Sequence, residues 1–211
     1  MNELFDIGGQ VSCNDGPVGT LVCVVLDPIA RTVTHVVVEP HHAAGQGRLV
    51  PVELIEQRGD GLALRCDGRE FAELEFAEET HFTSPDGEDL GYREGEIVAW
   101  PYYGMGLEMG ASEVAGTPRA YFASRVPAGQ VEVRRGERVH AADGDLGRVR
   151  GFVVDPADHH ITHLVLEEGH LFSRREVAVP IDSVTAVEPD GVTLSLTRDQ
   201  IRALPTLEPP V

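Results

Sequence analysis

Histidine is the residue type dense enough in this chain to suggest chemistry, with nine in 211 residues. Pairs stand at His41-His42 and His159-His160, with His163 and His170 nearby. Asp158, His159 and His163 offer the carboxylate and imidazole donors that suit Zn or Ni. On a strand, successive side chains point to opposite faces, so His159 and His160 diverge unless a turn bends them together. The spacing therefore argues against a closed metal site, and no cofactor is expected. Acidic pairs such as Glu78-Glu79, Glu167-Glu168 and Asp143 with Asp145 are expected on solvated faces. General acid–base work would need a pocket around them. No Gly-x-Ser-x-Gly elbow supports a Ser/His/Asp triad. Gly8-Gly9 and Gly45-Gln46-Gly47 precede no helix signal, so phosphate cradling is not supported. Every strongly basic residue is Arg, as in proteins from GC-rich genomes, and the absence of Lys removes Schiff-base and P-loop chemistry. Cys13, Cys23 and Cys66 form no CxxC and are read as small buried apolar side chains, which fits a reducing cytoplasm. The chain is read as non-enzymatic.

The elements that would position these residues come from a duplication. Val11–Glu39 aligns without a gap on Val139–Glu167, with 11 of 29 pairs identical and an offset of 128. The match continues with small slips through Val50-Pro51 on Val179-Pro180 and Gly61–Leu64 on Gly191–Leu194. Such a repeat fixes the architecture first. His35 and His163 are repeated, and each shares a strand face with apolar neighbours. A fold role is therefore expected for both, as half-buried, hydrogen-bonded imidazoles.

Each copy reads as all-β. A short strand (Gln10–Cys13, Arg138–Ala141) meets a turn, Asn14-Asp15-Gly16 or Asp143-Gly144-Asp145. A Val-rich run follows and ends in Asp27-Pro28 or Asp155-Pro156, where Asp can bond its own following backbone and Pro pre-sets φ. The return strands Thr32–Glu39 and Ile161–Glu167 complete hairpins. Two further strands are expected, then a short helix over Asp67–Leu74 and over Thr197–Leu204, the latter with Thr197 as N-cap. Short strands with long hairpins tend to close into a small barrel, which removes unpaired edges.

Three motifs recur in fixed order. They are Asp15-Gly16-x-x-Gly19 with Asp143-Gly144-x-x-Gly147; Asp27-Pro28 then Thr34-His35 with Asp155-Pro156 then Thr162-His163; and Val50-Pro51 with Val179-Pro180. This arrangement resembles the PRC-barrel family, named for the photosynthetic reaction centre H subunit. A similar barrel ends a bacterial ribosome maturation factor. The resemblance implies two tandem PRC-like β-barrels, residues 1–82 and 131–211, joined by a partly ordered linker, 83–130. It brings no catalytic set. It implies an interaction or docking role.

The leading expectation is a cytoplasmic protein-binding or scaffold protein with an unknown protein partner. The alternative is an accessory factor in ribosome or RNA maturation that contacts a ribosomal protein. A metal- or small-molecule-responsive protein using the His-rich loops is the third reading. Trp100, Tyr102 and Tyr103 in the linker are the candidate partner-binding residues, because such aromatics anchor interfaces. A linker packed on a barrel, in one chain or by exchange across a homodimer, is expected alongside. The formal charge of −18, with no net-basic segment, excludes a general positive field for nucleic acid or anionic membrane. No run approaches a membrane span of about 18 apolar residues. The N-terminus lacks a signal-peptide pattern. Arg134-Arg135 and Arg174-Arg175 are expected to pair with nearby Glu137 and Glu176.

Overall fold

The computed structural model describes residues 2–41, 46–59, 61–83, 119–168, 175–188 and 191–205. In chain order the first copy holds β1 (Glu3–Asp6), β2 (Gln10–Cys13), β3 (Gly16–Asp27), β4 (Thr32–Pro40), β5 (Arg48–Pro51), β6 (Ile55–Arg58), β7 (Gly61–Leu64) and α1 (Gly68–Glu73). A separate unit follows, Glu78–Arg125, in which β8 (Glu78–Thr83) pairs antiparallel with β9 (Arg119–Ser124). The second copy holds β10 (Val131–Arg134), β11 (Arg138–Ala141), β12 (Gly144–Val154), β13 (Ile161–Glu168), β14 (Arg175–Pro180), β15 (Val184–Glu188), β16 (Gly191–Leu194) and α2 (Arg198–Arg202). Met1–Ala77 and Val126–Val211 group as one compact unit.

The fold of that unit is all-β, with two sheets of seven strands each. One runs β5-β4-β3-β2-β7-β6 and the other β14-β13-β12-β11-β16-β15. The first and last strands of each are joined by one turn of 3₁₀ helix, Val52–Leu54 or Ile181–Ser183. Six strands laid flat would separate those edges by about 24 Å. The four steps from Pro51 to Ile55 span at most about 14 Å, so each sheet must curl around its core. The register slips at equivalent places in both sheets: Val11/Ser12 and Val139/His140, Leu21/Cys23 and Val149/Gly151, Val25/Leu26 and Val153/Val154. Asp27-Pro28 and Asp155-Pro156 stand at equivalent hairpin tips, as the repeat predicts.

The seventh strand of each sheet comes from the other copy. β1 pairs antiparallel with β12, with Phe5 opposite Phe152, and β10 pairs with β3, with Val133 opposite Val24. The two registers are related by the repeat offset at every position. Glu3-Leu4-Phe5-Asp6 and Val131-Glu132-Val133-Arg134 share no identity, so the sequence match gives no sign of the exchange. Each exchanged strand returns to its own copy through a matched turn. Gly8 N–H donates to Leu21 O (2.6 Å) and Gly136 N–H to Val149 O (2.9 Å). A single apolar cluster runs through both copies and includes Phe5, Val24, Val33, Val133, Phe152 and Ile161, all at most 3% exposed. A smaller cluster on the outside of the first sheet joins Cys23, Val25, Val37 and Leu49 to Ala77, with Val126 packed against it. Ala77 and Val126 are the residues that flank the Glu78–Arg125 unit. Among the described residues, no helix is long and apolar enough to cross a membrane.

The repeated residues are accounted for by this construction. Gly19 and Gly147 lie where β3 and β12 press against their return strands. A Cβ would sit 2.3 Å from Glu39 O at the first and 2.4 Å from Glu167 O at the second. Gly16 and Gly144 turn with φ of +145° and +132°. Asp15 accepts from Gly68 N–H (3.0 Å) and Asp143 from Arg198 N–H (2.9 Å), tying each turn to the helix of its own copy. Asp67 and Thr197 close capping boxes on α1 and α2. Thr34 and Thr162 each donate to a β3 or β12 carbonyl, Val25 O or Val153 O. Each also meets the residue ahead of the exchanged strand. Thr34 bonds Gln130 (2.6 Å) and Thr162 accepts from Asn2 (3.4 Å).

Candidate functional site

The two hairpin tips meet across the pseudo-twofold axis of the compact unit. Asp27 Oδ1 accepts from Ile29 N–H (2.8 Å) and Ala30 N–H (2.9 Å), and Asp155 Oδ1 from Ala157 N–H (2.9 Å). The turns close with Arg31 N–H on Asp27 O and His159 N–H on Asp155 O, both at 2.8 Å. Arg31 and His159 then adopt φ of 56° and 58°, a left-handed conformation that costs a residue with a Cβ about 1–2 kcal/mol. What that conformation achieves is visible in the hydrogen bonds. Arg31 O accepts from Ile161 N–H (2.8 Å) and His159 O from Val33 N–H (2.9 Å), so each tip is pinned to the other copy.

The backbone is symmetric here but the side chains are not. Ile29, at the first tip, is 92% exposed, and the equivalent residue is Ala157. Arg31, whose equivalent is His159, forms an ion pair with Asp182 of the other copy. Arg31 also lines a cleft of about 130 Å³ whose walls mix polar and apolar groups, among them Thr185, Leu26, Phe152, Ile161 and Ile181. An enclosed cavity of about 150 Å³ admits a molecule the size of benzene, so a cleft of this volume holds no more than one small side chain. A larger recess of about 260 Å³ flanks β1 between Leu4, Asp6, Leu21 and Leu62.

The residues singled out for chemistry are dispersed. His35 lies on β4 between Val25 and Pro51, and His163 on β13 between Val153 and Pro180. Both are half-buried. His163 Nδ1 bonds its neighbour Thr162 Oγ1 (3.0 Å), as expected of a fold histidine. His35 Nδ1 departs from that expectation, because it is shielded and unbonded. Asp158 is engaged by His160 N–H (2.9 Å). Among the described residues, no three His, Cys, Asp or Glu side chains gather around a common point. Arg134 pairs with Glu132 (3.0 Å) while its backbone N–H donates to Glu137 Oε1 (2.7 Å), and Glu176 pairs with Arg150 (2.7 Å). Trp100, Tyr102, Tyr103, His42, His170 and Arg174 lie outside the described residues.

Burial raises the Glu137 carboxyl above the usual carboxylate range, even though its Oε1 accepts from Arg134 N–H (2.7 Å). A carboxyl whose folded pKa lies above the unfolded value binds more protons when folded. Its charged form therefore lowers stability as pH rises through that window. Glu137→Gln keeps the acceptor oxygen. It is expected to stabilise by at most about 1 kcal/mol near pH 7, the group being partly solvated. The gain should vanish near pH 4. Thermal melts of both proteins across that range check it.

Residues 135–201 match the PRC-barrel domain family. The match falls on the second copy. The likeness of the first copy to it rests on the equivalent ladders and register slips of the two sheets. No curated protein matches the chain.

Proposed function

We propose that the chain is a non-enzymatic binding or scaffold protein, and that the hairpin-tip face on its pseudo-twofold axis receives a protein partner. The PRC-barrel match to the second copy supports a scaffold or binding role in general terms. The observation that carries the specific reading is Ile29, 92% exposed and next in sequence to Pro28, which lines a small cleft, at a point where the copies share a backbone but differ in side chain. An exposed branched apolar residue at the tip, near a small cleft of mixed polar and apolar lining, fits a partner that accepts one apolar side chain and offers a small one. With a formal charge of −18, recognition of nucleic acid through phosphates is disfavoured.

The test is affinity capture from the native cell at physiological salt, with wild type, Ile29→Asp and Trp100→Ala as baits. Ile29→Asp touches no core contact, so its melting temperature should match wild type while recovery of the specific partner falls at least about tenfold, in the range of an interface hot spot. Equal recovery by Ile29→Asp would reject the hairpin-tip face. Loss confined to Trp100→Ala would transfer the role to Trp100, Tyr102 and Tyr103. Ribosomal proteins in the captured set would favour the accessory-factor reading.

A further inference from the structure

We propose that Cys13 and Cys66 form a dithiol site that closes to an intramolecular disulfide when the protein meets a hydroperoxide oxidant. The three cysteines are free thiols in the structure. Two of them, 53 residues apart in sequence, have their sulfurs 3.9 Å apart in the core of the first copy. Cys13 ends β2, and Cys66 directly precedes Asp67, the N-cap of α1. The Asn14 N–H to Cys66 O bond (3.0 Å) holds the two backbones one strand spacing apart, a separation that a disulfide bridges. The second copy supplies an internal control. Ala142 N–H bonds Leu196 O (2.9 Å) in the same arrangement, and the sulfur positions are occupied by Ala141 and Leu196. The site is therefore compatible with non-thiol side chains, and the fold does not require cysteine at either position.

The chemistry balances with one peroxide. The thiolate of one cysteine attacks a peroxide oxygen, the O–O bond breaks, and hydroxide leaves to be protonated to water. The resulting sulfenic acid lies beside the second sulfur, which displaces its oxygen as a second water and forms the S–S bond. Two thiols and one hydroperoxide give one disulfide and two molecules of water, or water and an alcohol for an alkyl hydroperoxide. Proximity of the second sulfur favours closure over further oxidation. Burial, and then the neighbouring thiol and the carboxylates of Asp15 and Asp67, push the Cys13 thiol up to about 12. Burial also raises Cys66. Little thiolate is present at neutral pH, so closure should be slow there and accelerate about tenfold per pH unit between pH 7 and 9. The product ties β2 to the start of α1 in the first copy alone.

The test treats the full chain with hydrogen peroxide and follows it by intact mass and non-reducing peptide mapping. The expected result is loss of two hydrogens, a linked pair of peptides containing Cys13 and Cys66, and a raised melting temperature that a reductant reverses. Cys13→Ala and Cys66→Leu, each installing the residue of the second copy, should abolish the link and the shift. Oxygen adducts on Cys13 or Cys66, a link involving Cys23, or thiols left untouched while the urea-unfolded chain oxidises would each overturn the proposal.

Discussion

Phe5→Ala should destabilise the protein by about 3–5 kcal/mol, and much of the damage should appear in a strand nearly 150 positions away. Phe5 is 1% exposed and directly opposes Phe152 across the β1–β12 ladder. Removing the ring forfeits its transfer energy and leaves a cavity that the paired backbones cannot readily close. It also removes an aromatic cross-strand pair. For a chain of this size the loss corresponds to a fall in melting temperature of about 6–20 °C. Equilibrium melts measure the magnitude. An effect below about 1 kcal/mol would mean that β1 is a dispensable terminal arm.

Gly147→Ala should cost about 3 kcal/mol for the opposite reason, an added atom. Its Cβ would stand 2.4 Å from Glu167 O and 3.4 Å from Glu168 Cα, all backbone of β13. Backbone cannot rotate aside as a flexible side chain can, so the ladder must open where Gly147 faces Glu168. Gly19→Ala meets the same obstacle at Glu39 O, 2.3 Å away, and should behave alike. Gly61→Ala is the control, because its nearest obstacle is Gln10 O at 3.4 Å, an ordinary contact. Urea unfolding of the three variants should separate the first two from the third. Equal stability of all three would show that the β3–β4 and β12–β13 hairpins are not packed as tightly as described.

Much of this fold is legible in the sequence because it is carried by residues the duplication repeats. Asp27-Pro28, Gly19 and their counterparts mark hairpins whose geometry admits few other side chains. The exchanged strands are not legible, since pairing between β1 and β12 is enforced by burial of Phe5 against Phe152 rather than by any shared motif. Alternation of Phe5 with Ile7, or of Val131 with Val133, signals a strand but not the sheet it joins. β6 is equally hidden, because Ile55-Glu56-Gln57-Arg58 places a single apolar residue in an edge strand and carries no strand signal. The hairpin-tip site was half visible. The tip itself follows from Asp-Pro, while the cleft that Arg31 lines exists only once the tips cross. Cys13 and Cys66 could not be paired by spacing. They meet because β2 runs parallel to β7, with Val11 opposite Leu62, which brings their C-terminal ends together. Thr34 and Thr162 stand out in the sequence as members of a repeated motif, whereas their contacts with Gln130 and Asn2 follow only from the strand exchange.

The interlocking of the two copies through their first strands underlies the rest of this account, because it sets the hairpin tips face to face. Amide hydrogen exchange tests it most directly, since a chain terminus ordinarily frays and exchanges first. In wild type, the amides of Leu4–Asp6 should be protected to the same degree as those of Gly151–Val154. In Phe5→Ala both segments should lose protection together. Rapid exchange at Leu4–Asp6 in the wild-type chain, beside full protection at Gly151–Val154 in both proteins, would contradict the strand exchange.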